Sequence, residues 1–158
     1  MGRKSAKKGD KHLSLALDHR RGGRLKDALR LFRLVLDDHP ENCIALMNLA
    51  EMSLELGQAK GATSLILRAL TSNVEDSQCL IVLDQVLAAL KETDSQAQLL
   101  FEYSQILKDN GFWNEALIKH RHALRLNPKL ANTDNFDSVP LLARGNLKQG
   151  WRAFEWRN

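Results

Sequence analysis

A short pattern that begins with glycine occurs four times along the chain. In each copy an apolar residue stands two positions after the glycine, a small residue three positions later and a bulky residue four positions beyond that. Glycine reaches the positive φ of a tight reversal, and a small residue lets two helices approach closely, so each copy predicts a pair of antiparallel helices. The copies are Gly23, Leu25, Ala28, Phe32; Gly57, Ala59, Ala62, Ile66; Gly111, Trp113, Ala116, His120; and Gly145, Leu147, Gly150, Phe154.

The spacing of the four glycines indicates a repeat with one interruption. Gly57 follows Gly23 by thirty-four positions, and Gly145 follows Gly111 by the same interval, whereas the middle gap is twenty positions longer. Within that gap, residues 78–91 are apolar nearly all round, which is typical of a deeply buried helix. We therefore expect an extra helix over 77–96 and a kink of the helix stack near 92–96.

Composition agrees with an all-α fold in a single domain. Leu and Ala dominate, β-branched residues are few, and the chain has only 1 Tyr and 3 Pro. A length of 158 residues fits one domain, which we place at 12–158 with about eight or nine helices.

The formal charge of +4 belongs to the N-terminal segment 1–11, where five basic side chains stand against Asp10. This Gly/Ser/Lys-rich segment has no large apolar residue after Met1, so we expect a disordered basic tail over 1–11. Five basic residues form a weak electrostatic patch, which does not favour a nucleic-acid partner. No apolar run reaches the roughly 18 residues of a membrane span and no secretory signal begins the chain, so we expect a cytoplasmic protein.

With this interval between its glycines, the chain resembles the tetratricopeptide-repeat (TPR) family, whose period is about 34 residues. Pro40 and Pro128 follow Ala28 and Ala116 by twelve positions, where this family ends its second helix. The resemblance implies repeats at 9–42, 43–76 and 97–130, with an incomplete one at 131–158. It also implies a right-handed solenoid of helical hairpins that binds a partner protein or peptide along its concave groove.

The groove residues follow from the family's geometry, in which certain positions of each first helix face the concave side. Met47, Leu13 and Phe101 would contact apolar side chains of a ligand segment, and Asn48 would bond its backbone. The alternative for each apolar residue is ordinary packing between repeats. The groove positions are Leu13, Leu17, Arg20, Met47, Asn48, Glu51, Phe101, Glu102 and Gln105.

The C-terminal segment Leu141–Arg157 is similar to the last repeat of bacterial proteins in which TPR repeats precede a glycosyltransferase domain. The resemblance implies a second hypothesis, the substrate-recognition part of a glycosyltransferase whose catalytic domain is absent from this chain. A third is a nucleic-acid adaptor that uses the basic tail. Exposed aromatic residues at this end would form an interface for a homodimer or a partner, through Trp151, Phe154 and Trp156.

The sequence contains no catalytic motif, and we expect neither an enzyme nor a cofactor. It has no glycine-rich phosphate loop, no nucleophile elbow and no HExxH motif. His12 and His19 lie on one helical face without a neighbouring ligand, which does not favour a metal site. Cys43 and Cys79 form no metal or redox motif, so we expect two reduced thiols.

Overall fold

The computed structural model describes residues 2–133, with side chains from residue 9 to residue 131. This range contains helices only and no strand, which confirms the all-α prediction. The helices are α1 (Gly2–Arg21), α2 (Leu25–Asp38), α3 (Cys43–Glu55), α4 (Ala59–Ser72), α5 (Ser77–Ala89), α6 (Thr93–Asp109) and α7 (Trp113–Leu126), followed by a short 3-10 helix (Pro128–Thr133).

Six of the helices form three antiparallel hairpins, α1 with α2, α3 with α4, and α6 with α7. The chain reverses in each hairpin at a glycine with positive φ: Gly23 at 73°, Gly57 at 71° and Gly111 at 86°. L-residues with a Cβ rarely adopt this conformation, so glycine is the residue type that permits these tight reversals. These repeated hairpins give the chain a TPR-type helical solenoid.

Small residues allow the helices of each hairpin to lie close together. Ala28, Ala62 and Ala116 have no accessible surface, and each stands five positions after its turn glycine. One buried cluster, centred on Phe32 and Met52, joins α1, α2 and α3. A second cluster extends from α3 to α7, so the core continues from one hairpin to the next.

Helix α5 has no hairpin partner among the described helices and lies instead between the second and third hairpins. It packs mainly on α4 and also on α3, while α6 packs on α7 and on α4. Its buried residues Cys79, Val82, Leu83 and Val86 form one face, whereas Ile81 is 50% exposed. The apolar residues all round α5 led to the expectation of a deeply buried helix. Because no second helix of the described range covers its other side, that side remains open to solvent.

Two helices begin with a side chain that satisfies their unpaired backbone N–H groups. Asn42 caps α3 by accepting a hydrogen bond from the N–H of Ala45 at 2.9 Å. Asp76 caps α5 by accepting from the N–H groups of Gln78 and Cys79 at 3.0 and 2.9 Å. Both caps are of the preferred N-cap type and fix where each helix begins.

The ends of the chain differ from the sequence expectation or lie outside the described range. Residues 2–11 belong to α1, whereas we expected a disordered tail. Arg, Lys and Ala are strong helix formers, so a helix anchored by the buried Ala16 continues through them. The described residues end at 133, so nearly all of the expected repeat at 131–158 and the whole of its expected interface lie outside them. No helix within the described residues is both long and apolar enough to cross a membrane.

Candidate partner-binding surface

Arg20 forms a polar connection between the first and second hairpins. From the last turn of α1, its guanidinium donates to the side-chain oxygen of Asn48 and pairs with Glu51 at 2.6 Å. It also lies 3.4 Å from a carboxylate oxygen of Glu55. Charge-assisted hydrogen bonds of this kind are stronger than neutral ones, and the half-buried position of Arg20 and Glu51 reduces solvent screening. We call Arg20, Asn48, Glu51 and Glu55 the Arg20 network.

Both polar atoms of the Asn48 side-chain amide form hydrogen bonds within this chain. Its nitrogen donates to the carbonyl of Ile44 at 2.7 Å, and its oxygen accepts from Arg20. Its side chain is also nearly buried, since the residue is only 5% exposed. A buried amide needs such partners, so Asn48 stabilises the contact between α1 and α3. The expected bond from Asn48 to a ligand backbone would have to replace one of these interactions.

The apolar groove positions of α1 and α3 differ in how accessible they are. Leu13 and Leu17 are half-buried and pack against the first core cluster. Met47 is half-buried and packs against the second. Ile44 is 46% exposed, one turn before Asn48 on the same helix. Ile44 and the exposed part of Met47 therefore form an accessible apolar surface beside the Arg20 network.

Helix α5 carries a second exposed isoleucine, which the sequence analysis did not anticipate. Ile81 is the fifth residue of α5, the position that Met47 holds in α3, and α5 packs beside α3. Its 50% exposure makes it the accessible apolar residue at that position. A comparison of α5 with α3 at equal distances from their N-terminal caps could have identified it. We call Ile44, Met47 and Ile81 the isoleucine face.

The three groove positions on α6 lie on a separate part of the molecule. Phe101 packs against His120 of α7, with ring centroids 5.4 Å apart and the ring planes tilted by 42°. Glu102 accepts a hydrogen bond from Gln98 at 2.6 Å on the same helix, and Gln105 is half-buried. Since α5 is the helix that packs beside α3, and α6 packs on α7 and α4, these residues do not directly continue the surface of α1 and α3.

A cavity of about 580 Å³ opens between α1 and α2. Its lining includes His12, His19, Asp27 and Arg30, and His19 lies 3.6 Å from the carboxylate of Asp27. Within the described part of the lining there is no hydroxyl or thiol that this His–Asp pair could activate. The cavity therefore gives no support to a nucleophilic mechanism.

A serine and a histidine also meet between α6 and α7. The hydroxyl of Ser104 lies 3.4 Å from Nδ1 of His120 and donates to the carbonyl of Phe101 at 2.6 Å. Ser104 has no accessible surface and His120 is nearly buried, so a substrate cannot reach them. His120 therefore occupies the bulky core position that the repeat pattern predicted.

Within residues 9–131, one group of three metal-ligating side chains comes together, namely Cys43, Asp76 and Cys79. The two sulfur atoms are 3.4 Å apart, and the sulfur of Cys43 is 3.8 Å from the carbonyl oxygen of Ala69. Burial raises the pKa of the Cys79 thiol above its ordinary value, and the neighbouring Cys43 and Asp76 raise it further. The sequence analysis expected two reduced thiols that form no metal or redox motif.

Comparisons with known proteins identify no family for this chain. No family model matches it, and no curated protein matches its sequence. Among solved structures, the crystal structure of the MamA protein matches with a TM-score of 0.39 and 13% identity, over 98% of this chain and 90% of that one. This match is too weak to support the fold, which follows instead from the three hairpins and their glycine turns. The residues that resemble the glycosyltransferase-linked repeat, and those of the expected C-terminal interface, lie outside the described range.

Proposed function

We propose that this chain is a non-catalytic interaction module that binds a segment of a partner protein on the isoleucine face. The observation that supports it is the exposure of Ile44 and Ile81, 46% and 50%, on neighbouring helices beside the half-buried Met47. Clustered exposed apolar residues with a polar rim are typical of protein-binding sites. The Arg20 network supplies such a rim next to Ile44.

The shape of the surface suits a partner segment better than a small molecule. The face spans two helices of a solenoid, α3 and α5, which pack on each other. An amphipathic segment that places apolar side chains against Ile44 and Ile81 would bury both. Glu51 and Glu55 outnumber Arg20 at the rim, so a segment with a basic side chain at its edge suits the surface electrostatically.

The proposal includes a cytoplasmic location. In such a reducing compartment Cys43 and Cys79 would both stay as thiols. Expression of the tagged chain in its own host, followed by cell fractionation, tests this part of the proposal. Recovery from the membrane or the culture medium would contradict it.

The double substitution Ile44→Ser, Ile81→Ser tests the binding surface. Both side chains are exposed, so we expect a change in stability within about 1 kcal/mol for the pair. Partner capture from a native lysate should fall, since an apolar anchor in an interface often contributes about 1 kcal/mol or more. The captured protein is then purified and its affinity for each variant is measured by calorimetry.

Ile118→Ser is the matched control. Ile118 is 64% exposed and lies on α7, which belongs to a different hairpin. The control variant should retain the partner with the affinity of the unmodified chain. Equal affinity of all three proteins for the purified partner, with unchanged melting temperatures, would contradict binding on the isoleucine face. Asn48→Ala is a poorer test, because the loss of its buried hydrogen bonds would disturb α1 and α3 as well.

A further inference from the structure

The N-terminal ends of α3 and α5 bring three metal-ligating side chains to one place. Cys43 is the first residue of α3, Cys79 is the third residue of α5, and Asp76 is the N-cap of α5. One ligand atom from each lies within 4.8 Å of the other two. We propose that Cys43, Cys79 and Asp76 bind a divalent thiophilic cation such as zinc. The cation would bind whether or not a partner protein binds on the isoleucine face.

The separation of the sulfur atoms is close to that of a tetrahedral zinc site. With zinc–sulfur bonds of about 2.3 Å, two thiolates of a tetrahedron lie about 3.8 Å apart, and a thiolate and a carboxylate oxygen about 3.6 Å. The sulfur atoms of Cys43 and Cys79 are 3.4 Å apart. An opening of a few tenths of an ångström, which side-chain rotation provides, would therefore admit the cation between them.

The surroundings hold the carboxylate in place, and two helix N-termini oppose part of the cost of burying negatively charged ligands. One oxygen of Asp76 accepts hydrogen bonds from the N–H groups of Gln78 and Cys79, which fixes the carboxylate and leaves the other oxygen for a cation. Both cysteines lie in the first turn of a helix, where the positive end of the helix dipole stabilises a thiolate. Two helix N-termini would thus offset part of the charge of three anionic ligands, and a divalent cation would offset most of it.

Solvent can supply the fourth ligand from one side only. Cys79 has no accessible surface, whereas Cys43 and Asp76 are half-buried. A water molecule would complete the tetrahedron on the side of Cys43 and Asp76, as in sites with three protein ligands. The bound cation would connect the beginning of α3 to the beginning of α5 and fix the relative position of these two helices.

Titration with Co²⁺ tests the site directly, in the full chain kept reduced with a phosphine so that the thiols cannot oxidise. We expect a thiolate-to-cobalt charge-transfer band in the near ultraviolet, and visible bands with the intensity of a tetrahedral site. Zinc added afterwards should displace the cobalt and abolish both. The same addition of zinc should raise the melting temperature, because a ligand that binds only the folded state stabilises it.

Three variants show whether the named ligands hold the cation. Cys43→Ser should lose most of the charge-transfer intensity and bind Co²⁺ more than about tenfold more weakly. Asp76→Asn keeps the helix cap while removing the carboxylate, so it should fold normally and also bind more weakly. Asp84→Asn removes an exposed carboxylate from the same helix and should bind as the unmodified chain does.

Circular dichroism establishes that each variant is folded before its affinity is compared. Absence of a charge-transfer band in the unmodified reduced chain would overturn the proposal. The proposal would also be overturned if the band persisted at full strength in folded Cys43→Ser. It would equally fail if Asp84→Asn weakened Co²⁺ binding as much as Asp76→Asn does.

Discussion

The replacement of Ala28 by Leu tests the register in which the first two helices pack. Ala28 has no accessible surface and belongs to the same buried cluster as Ala16 of α1 and Phe32 of α2. Ala28→Leu adds three carbon atoms at this position. Burial of three such groups would stabilise the fold by about 2.4 kcal/mol if space existed for them. In a closely packed core the helices must instead move apart, and such overpacking costs about 1–3 kcal/mol in net stability.

Urea denaturation followed by circular dichroism measures this loss as a lower transition midpoint. For a domain of this size, a loss of about 1 kcal/mol lowers the melting temperature by about 2–4 °C, so we expect a decrease of about 2–12 °C. Ala88→Leu on the exposed side of α5 is the control, because it makes the same chemical change without burying the side chain. The control should stay within about 0.5 kcal/mol of the unmodified chain.

Two results would refute the reasoning about Ala28. If Ala28→Leu unfolds at the same urea concentration as the unmodified chain, α1 and α2 do not meet at this residue. If Ala88→Leu loses as much stability, the effect comes from leucine in a helix and not from packing. Equal slopes of the unfolding transitions establish that the denatured states are comparable.

Four further substitutions test local features of the fold. Gly57→Ala should lose about 1 kcal/mol or more because φ is 71°, whereas Gly61→Ala, inside α4 where an added Cβ meets Gln58 at an ordinary contact distance, should gain about 0.4–1 kcal/mol in urea denaturation. Asp76→Ala should lose about 0.5–2 kcal/mol with its cap, measured in the same way. Pairing with Lys60 lowers the pKa of Glu92 below the ordinary value of 4.5. The Lys60–Glu92 pair therefore stabilises the fold above that pH, and this stabilisation is lost as the pH falls and Glu92 becomes protonated. Lys60→Gln should raise the pKa of Glu92 in an NMR titration.

The glycine turns and the small core residues could be predicted because each depends on a few neighbouring residues. Gly23, Gly57 and Gly111 all have positive φ, and the alanine five positions after each is fully buried. A tight reversal between two helices imposes these residue types wherever it occurs. The period of the pattern therefore predicted the hairpins, although it does not specify how the hairpins pack on one another.

The proposed binding surface depends on contacts between helices of different hairpins, which the pattern does not specify. Asn48 was predicted to face a ligand. Its side-chain oxygen accepts a hydrogen bond from Arg20 of α1, which stands 28 residues earlier in the chain. Ile81 was predicted to be buried, because α5 is apolar on nearly every side. Ile81 is accessible because α5 has no hairpin partner within the described range, and that is a property of the stack as a whole.

The neighbouring thiols show why a search for short motifs does not find a site of the kind proposed here in a solenoid. Cys43 and Cys79 are 36 residues apart, which is one period of the repeat plus two positions. Packing places the first turns of α3 and α5 beside each other, so residues at nearly the same position of these two helices become neighbours. Metal-ligand motifs are usually recognised as two ligands within about four residues. In a repeat protein the equivalent signal is a pair of ligands separated by approximately one period, each within the first turn of its helix.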